Sequence, residues 1–481
     1  MKSRNSETIV FSPFTRIEGD LRLYVDVADG RVQSARACGT LFRGFEDLVH
    51  GRNPLDAIVF LCRICGQCGA AHSAAASAAL ANAFGITPPP NALYVRAVLV
   101  ALETILSHLS HFYVSFAPTL FASENGEISE RFAPMAGISF RNSLRARHTL
   151  LAMMGLIAGK WPNTLVLHPG GVTHALNTEQ LTRAKGIFAE FTSFLVRELL
   201  GCEIETWLEN DSLKALDAWM GKGGHANSDI GRFVAAALTR RLDRMGRGPG
   251  RFLSCGGGVL PGGETWLGAG YYEGGLKPFA PDAIEEDVSF AWYERDPVHG
   301  HPSQAVASAA SAKSEAYSWG KAVRYAGKSA EVGPMARMVI DADPLAMDLL
   351  RNPGPSVFSR ALLRLHELVR LAKDVPSWLD LVDPEAPFYL KHELPECAEG
   401  FAVTEAPRGM LGHWVRIEKA LTKTYQVVTP TGWNLSPRDR NGAPGPLEEA
   451  LEGTPVCTGQ EAANVHLVVS SYDPCLYCSV H

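Results

Sequence analysis

The chain has 481 residues, 46% hydrophobic and 20% charged, which is ample for a large buried core. A net charge of −6 and the lack of any Lys/Arg-rich run exclude nucleic acid as a partner. Ten cysteines are too few for a disulfide scaffold, and the opening MKSRNSETIVFSPFTRIEGD has no apolar signal core, so a reduced, cytoplasmic setting is expected, where Cys-x-x-Cys reads as metal binding or catalysis.

Residues 7–39 alternate as strands do, through TIVF, LRLYVDV and, past the Asp29–Gly30 turn, VQSARAC, which predicts a small antiparallel sheet. From about residue 43 the period becomes helical. The Ala-rich stretch 68–85 closes on Gly85, a good helix stop. Further helices are expected near 91–117, 140–159, 177–201, 208–220, 230–243 and 356–374. The stretch 91–118 is apolar but carries Arg96, Glu103, His108 and His111, so it reads as a buried core helix and no membrane span is expected. The Gly-rich 246–263 lacks the strand–GxGxxG–helix context of a nucleotide site and reads as loop. Residues 380–450 read as mostly irregular. With no repeat or sharp boundary, the expectation is one mainly α domain over 1–481 with a small N-terminal antiparallel sheet (α+β): a β-rich 1–42, a helical core over 43–380 and an irregular 381–481.

Two cysteine pairs carry the chemistry. Cys65 and Cys68 form Cys-x-x-Cys with His72 four residues on; Cys475 and Cys478 form another, with His481 ending the chain. The first pair opens a helix, whose dipole and free N–H groups favour thiolates. Four thiolates brought together need a soft or borderline cation. A closed Cys₄ zinc site satisfies that, although zinc ribbons place their pairs within a few tens of residues. A redox disulfide at one pair is the other ordinary reading. Cys38, Cys62, Cys202, Cys255, Cys397 and Cys457 read as small buried hydrophobes.

The motif RICGQC…H near the N-terminus with DPCLYCSVH at the C-terminus resembles the large subunit of [NiFe] hydrogenases. FTRIEGDLRL (14–23), TLFRGFE (40–46), SHLSHFY (107–113), EEDVSFAWYE (285–294), YSWGKAVRYAG with EVGP (317–334), APRGMLGHW (406–414) and VVTPTGWNLSPR (427–438) are similar blocks in the same order. The resemblance implies that family's fold, a helical core around a buried bimetallic site. It implies Cys65 and Cys475 as ligands of nickel alone. Cys68 and Cys478 would bridge nickel to an iron carrying CO and two cyanides. Glu18 would relay protons. Arg408 would hold its guanidinium over the open metal position, oriented by Arg438 and Asp473. Pro430 and Thr431 would line the pocket of the diatomic ligands, and His72 would hydrogen-bond a bridging cysteine. A Mg²⁺ or similar ion on Glu46, the Val427 carbonyl and His481 would staple the tail to the core.

The sequence departs from the family pattern in three places. Ser107 stands where many relatives have Asp, which leaves Arg438 or Arg408 less compensated. Gln67 and Ser115 stand at apolar channel-lining positions. Gln67 is therefore expected to narrow the channel or to hydrogen-bond a thiolate. The end at His481, KWPNT (160–164) and GRGPGRFLS (246–254) are similar to the hydrogen-sensing and related uptake branch, while His72 is not typical of sensors. The implied activity is oxidation of H₂, for sensing through a histidine kinase or for respiratory uptake through an electron acceptor. No further cysteine grouping could hold an iron–sulfur relay, so an iron–sulfur small subunit is the expected partner, and any export signal would ride on it.

Overall fold

The computed structural model describes residues 6–122, 124, 126–304, 306–456 and 461–479. His481 and Cys457 lie outside them. The N-terminal sheet is as expected: Ser6–Phe11, Leu21–Ala28 and Arg31–Gly39 pair antiparallel in sequence order. Asp29 and Gly30 take the left-handed φ of 52° and 69° that a two-residue hairpin turn requires. One face of the middle strand alternates into the core through Leu21, Leu23, Val25 and Val27.

The expected helices are present. Pro90–Ser110 continues through a π-helical turn, His111–Phe116. It packs against Val357–Asp380 and Ile138–Ala158. This helix is long and apolar enough to cross a membrane, yet 83% of its apolar window is buried inside the protein; it is the core helix that its four polar residues implied.

Helix Gly69–Phe84 ends on Gly85 at φ 67°. It is Ala-rich because a sheet lies directly on it. Gly400 approaches so closely that an added Cβ would sit 2.4 Å from the Ala79 carbonyl and the Ala83 amide. That sheet corrects the irregular reading of 380–450. Cys397–Ala406, Gly409–Glu418 and Leu421–Val428 form a three-stranded antiparallel meander. Its central strand is buried on both faces from Gly409 to Val415, which erases the alternation that marks a half-buried strand. The loop reading of 246–263 is likewise corrected at Arg251–Cys255, a strand paired with Ala269–Glu273. Cys397 is exposed, so it is not the buried hydrophobe expected.

Candidate metal centre

The last described residues are tied into the core at the N-terminal RIEG segment. Glu18 and Cys475 form a parallel bridge, and the Leu476 amide donates to the Glu18 carbonyl at 2.7 Å. Gly19 permits this contact. Its φ is +87°, and an added Cβ would lie 2.9 Å from Leu476 Cβ. On the other side the Thr429 hydroxyl donates to the Cys478 carbonyl at 2.9 Å, and the Cys475 amide donates to Thr431 Oγ1 at 3.1 Å. Thr431 and Pro430 sit in the short helix Pro430–Asn434.

This docking brings both cysteine pairs together. Sγ of Cys65 and Cys475 are 3.5 Å apart, those of Cys68 and Cys478 3.5 Å, and those of Cys475 and Cys478 3.4 Å. All four are buried and none is in a disulfide. Charge is shared unequally among them. Hydrogen bonds from Cys478 and then Cys65 hold the Cys68 thiol down to about 7 against burial. Cys478 is pushed well above the usual thiol range by its hydrogen bonds to Cys475, Cys65 and Cys68 and by burial. Sulfurs this close cannot all ionise unaided, and a soft divalent cation among them supplies what is missing. His72 lies beside them: one ring nitrogen and the sulfurs of Cys68 and Cys478 fall within 4.8 Å of one another. Its Nδ1 meets His413 Nε2 at 3.2 Å, and His413 Nδ1 meets the Tyr425 hydroxyl at 3.0 Å.

Arg408 is the buried cation of the site. Its Nε donates to the Asp473 carbonyl at 2.7 Å and lies 3.0 Å from the Asp473 carboxylate, which Nη2 also reaches at 3.2 Å. Burial opposes its charge, but Asp473 and then Cys475, Cys65 and Cys68 hold it well above the usual arginine range. Its Nη1 is buried and meets no acceptor among the described residues. A buried donor without a partner beside four thiol sulfurs fits a site built for a further ligand. Gln67 does not bond a thiolate through its side chain; its Nε2 donates to Glu18 Oε1 at 3.0 Å, while its backbone N–H reaches Cys65 Sγ at 3.3 Å.

Three expectations change. The N–H groups at the start of helix 69–84 are not all free to favour thiolates. Those of Ala70 and Ala71 donate at 2.8 Å to the two oxygens of Glu103, which also takes Trp161 Nε1 at 2.7 Å. Arg438 does not orient Arg408. Its Nη1 donates to the Gly442 carbonyl and its Nε lies 3.9 Å from Glu448; Asp473 orients Arg408 without it. Ser107 does not leave Arg408 or Arg438 without a carboxylate, since Asp473 and Glu448 stand beside them; the buried cation without a carboxylate in direct contact among the described residues is Arg364. Among the described residues its Nη1 donates to the Ser471 carbonyl alone, at 2.9 Å, and burial pulls its guanidinium down to about 10. Behind it runs a buried ionic chain: His108 to Glu367 at 2.7 Å, Glu367 to Arg337 at 2.6 Å through both oxygens, and Arg337 to Glu405 at 2.9 Å. Sequence reading missed Glu103, Glu367 and Arg337. Their only signal was a charge inside an apolar helical pattern.

Glu46 accepts the Val427 amide at 2.8 Å, and Lys321 stands 3.3 Å from both Glu46 and Glu286. Two of the three residues expected to hold the hard ion are therefore adjacent, with a lysine already supplying positive charge between two carboxylates.

Residues 43–118 and 115–481 match the family described as nickel-dependent hydrogenase. The chain belongs to the nickel-dependent hydrogenase family. It is 30% identical to the periplasmic [NiFeSe] hydrogenase large subunit of Desulfomicrobium baculatum, covering 98% of this chain and 94% of that one. It is 25% identical to the hydrogenase-2 large chain of Escherichia coli strain K12, over 99% and 97%. The solved Ni-Fe-Se hydrogenase of D. vulgaris Hildenborough in the reduced state superposes with a TM-score of 0.86, at 28% identity over 99% of this chain and 100% of that one. Membership of a nickel-dependent family favours a nickel centre over a structural zinc at these cysteines, and the four form no disulfide.

Proposed function

We propose that this large subunit oxidises H₂ to two protons and two electrons at a nickel–iron centre held by Cys65, Cys68, Cys475 and Cys478. The observation that carries the proposal is the cluster of four buried sulfurs beside a buried arginine whose Nη1 has no acceptor among the described residues. When bound there, with CO and two cyanides on iron, the centre supplies heterolytic cleavage of H₂ and storage of the two electrons. Cys65 and Cys475 are proposed as ligands of nickel alone, and Cys68 and Cys478 as the bridging pair.

The protein's own groups do the rest. Glu18 is proposed to take the proton: Gln67 occupies Oε1, which leaves Oε2 to receive it, and the backbone bridge sets residue 18 alongside Cys475. Arg408 holds a fixed positive charge at the site, oriented by Asp473. The Thr431 hydroxyl accepts from Cys475 N–H, so its own hydrogen is available to a cyanide nitrogen, with Pro430 closing the wall. His72 is proposed to tune a bridging thiolate through the His413–Tyr425 chain. A magnesium ion on Glu46, Val427 and His481 belongs to the same proposal.

Two electrons must leave. Among the described residues the candidate metal-ligand groups all belong to this one site, which supports an iron–sulfur small subunit as partner. The cytoplasm is the proposed compartment, checked by cell fractionation. A sensor would run the same chemistry slowly, and a turnover number on the native complex separates it from an uptake enzyme. The test of the proposal is metal analysis and infrared spectroscopy of the chain purified with its partner. About one nickel per chain, with CO and cyanide bands that respond to H₂, is expected. Zinc without those bands overturns it.

A further inference from the structure

A cavity of about 230 Å³ runs from the surface to the site. Val114 and Leu144, both exposed, stand at its mouth, and Glu18, Arg408 and Asp473 stand at its inner end. Its wall is a stripe on one helical face: Ser107, Ser110, His111 and Ser115 fall at the i, i+3, i+4, i+8 spacing that lines them up. From the facing helix Arg147 donates through Nε to Ser110 Oγ at 3.2 Å. At the inner end Gln67 holds Glu18 at 3.0 Å.

Ser107 decides what fills the cavity. It is 2% exposed, and its hydroxyl meets no partner among the described residues. A buried hydroxyl without a partner costs about 1–3 kcal/mol, and a cavity whose lining is polar apart from Ile17, Val114 and Leu144, with room for more than one water, removes that cost by hydration. The space is far above the roughly 10–15 Å³ that a single water needs, so it holds several. A route for an apolar gas would instead be lined by apolar side chains, and such cavities stay dry.

We infer that this cavity is a water-filled passage, anchored on Ser107 and running past Ser110, Arg147 and Ser115, which joins Glu18 to solvent. The inference rests on the proposed role of Glu18 and adds the path by which its protons leave. A proton passing from the Glu18 carboxyl to the first water displaces one from that water to the next. One proton reaches solvent, only O–H bonds exchange, and no electron moves.

The test uses crystals of the native complex, one set as grown and one pressurised with xenon. Ordered water within hydrogen-bond distance of Ser107 Oγ, continuing towards Arg147, is expected, with no xenon in the cavity. Xenon there and no water on Ser107 overturns the inference. In solution, Ser107→Ala and Ser115→Leu should slow H/D exchange severalfold while nickel content and infrared bands stay unchanged. Exchange at the native rate in both variants also overturns it. Loss of nickel or of the bands from the native complex would strike the hydrogenase proposal, and the water and xenon maps are read independently of that.

Discussion

Arg408 is where the site's chemistry depends most on one side chain. Its planar fork meets Asp473 with two nitrogens and leaves Nη1 without an acceptor among the described residues, while the guanidinium feels the charge of Cys475, Cys65 and Cys68. A lysine keeps the charge but loses the fork. Arg408→Lys should therefore retain full metal content while activity falls about 10²-fold, the usual cost of one preorganised donor; assays on metal-matched samples check this. Cys475→Ser is different in kind, because it removes a soft ligand that touches two other sulfurs. Nickel retention should fall to background, and a variant that keeps full nickel removes Cys475 from the ligand set. The four cysteines, Glu18 and Arg408 were legible because each sits in a motif of fixed spacing. Arg438 misled because its motif says that it lies near the C-terminal segment, not which carboxylate it meets. The Gln67–Glu18 contact was hidden because it joins residues 49 apart through side chains alone.

At the scale of an element, the helix that carries Cys68 and His72 starts without a cap of its own: Cys68 holds the N-cap position and makes no capping hydrogen bond with its side chain. Glu103, from the preceding face of helix 90–110, supplies both oxygens instead. Glu103→Ala leaves two buried N–H groups and the Trp161 indole without an acceptor, at about 1–3 kcal/mol for each orphaned group. The variant should lose several °C of thermal midpoint, and amide exchange should quicken first at Ala70 and Ala71. A midpoint unchanged from the parent chain would show that the cap is dispensable. No local pattern announces such a cap, since helix-start signals are read from adjacent residues. The same locality hid the 397–428 sheet: its central strand is covered on both faces, by helix 69–84 and by a hydrophobic cluster that includes Trp433, so it reads as apolar with breaks at Gly rather than as alternation.

Over the whole molecule, buried titratable groups set how stability follows pH. His108 and His111 are pulled down by burial to about 4 and about 3. Glu367 is buried too, yet Arg337 and then His108 hold it down to about 2. Glu103 and Glu448 go the other way, each pushed up by burial to about 7. The signs follow from which state binds more protons. Each depressed histidine favours the fold above its ordinary value and loses that as pH falls from about 6.5 through its folded value. Glu367 stabilises above about 4.5 and loses that as pH falls towards 2. Each raised carboxyl stabilises fully below about 4.5 and loses that as pH rises through 7. Between about 5 and 6 the unfolded chain binds two more protons at the histidines and two fewer at Glu103 and Glu448. The four terms cancel, and these groups leave the thermal midpoint nearly flat there. Below about 4.5 only the destabilising terms are left, and stability should fall by about 1.4 kcal/mol per pH unit for each net proton. The double variant Glu103→Gln with Glu448→Gln removes the opposing pair, so its decline should begin near pH 6.5 instead. Melting curves of the full chain from pH 3 to 8 check both. A double variant whose midpoint stays flat from pH 6.5 to 5 would mean that His108 and His111 take up protons within the fold, and that the ionic chain behind Arg364 is looser than its 2.6–2.9 Å contacts imply.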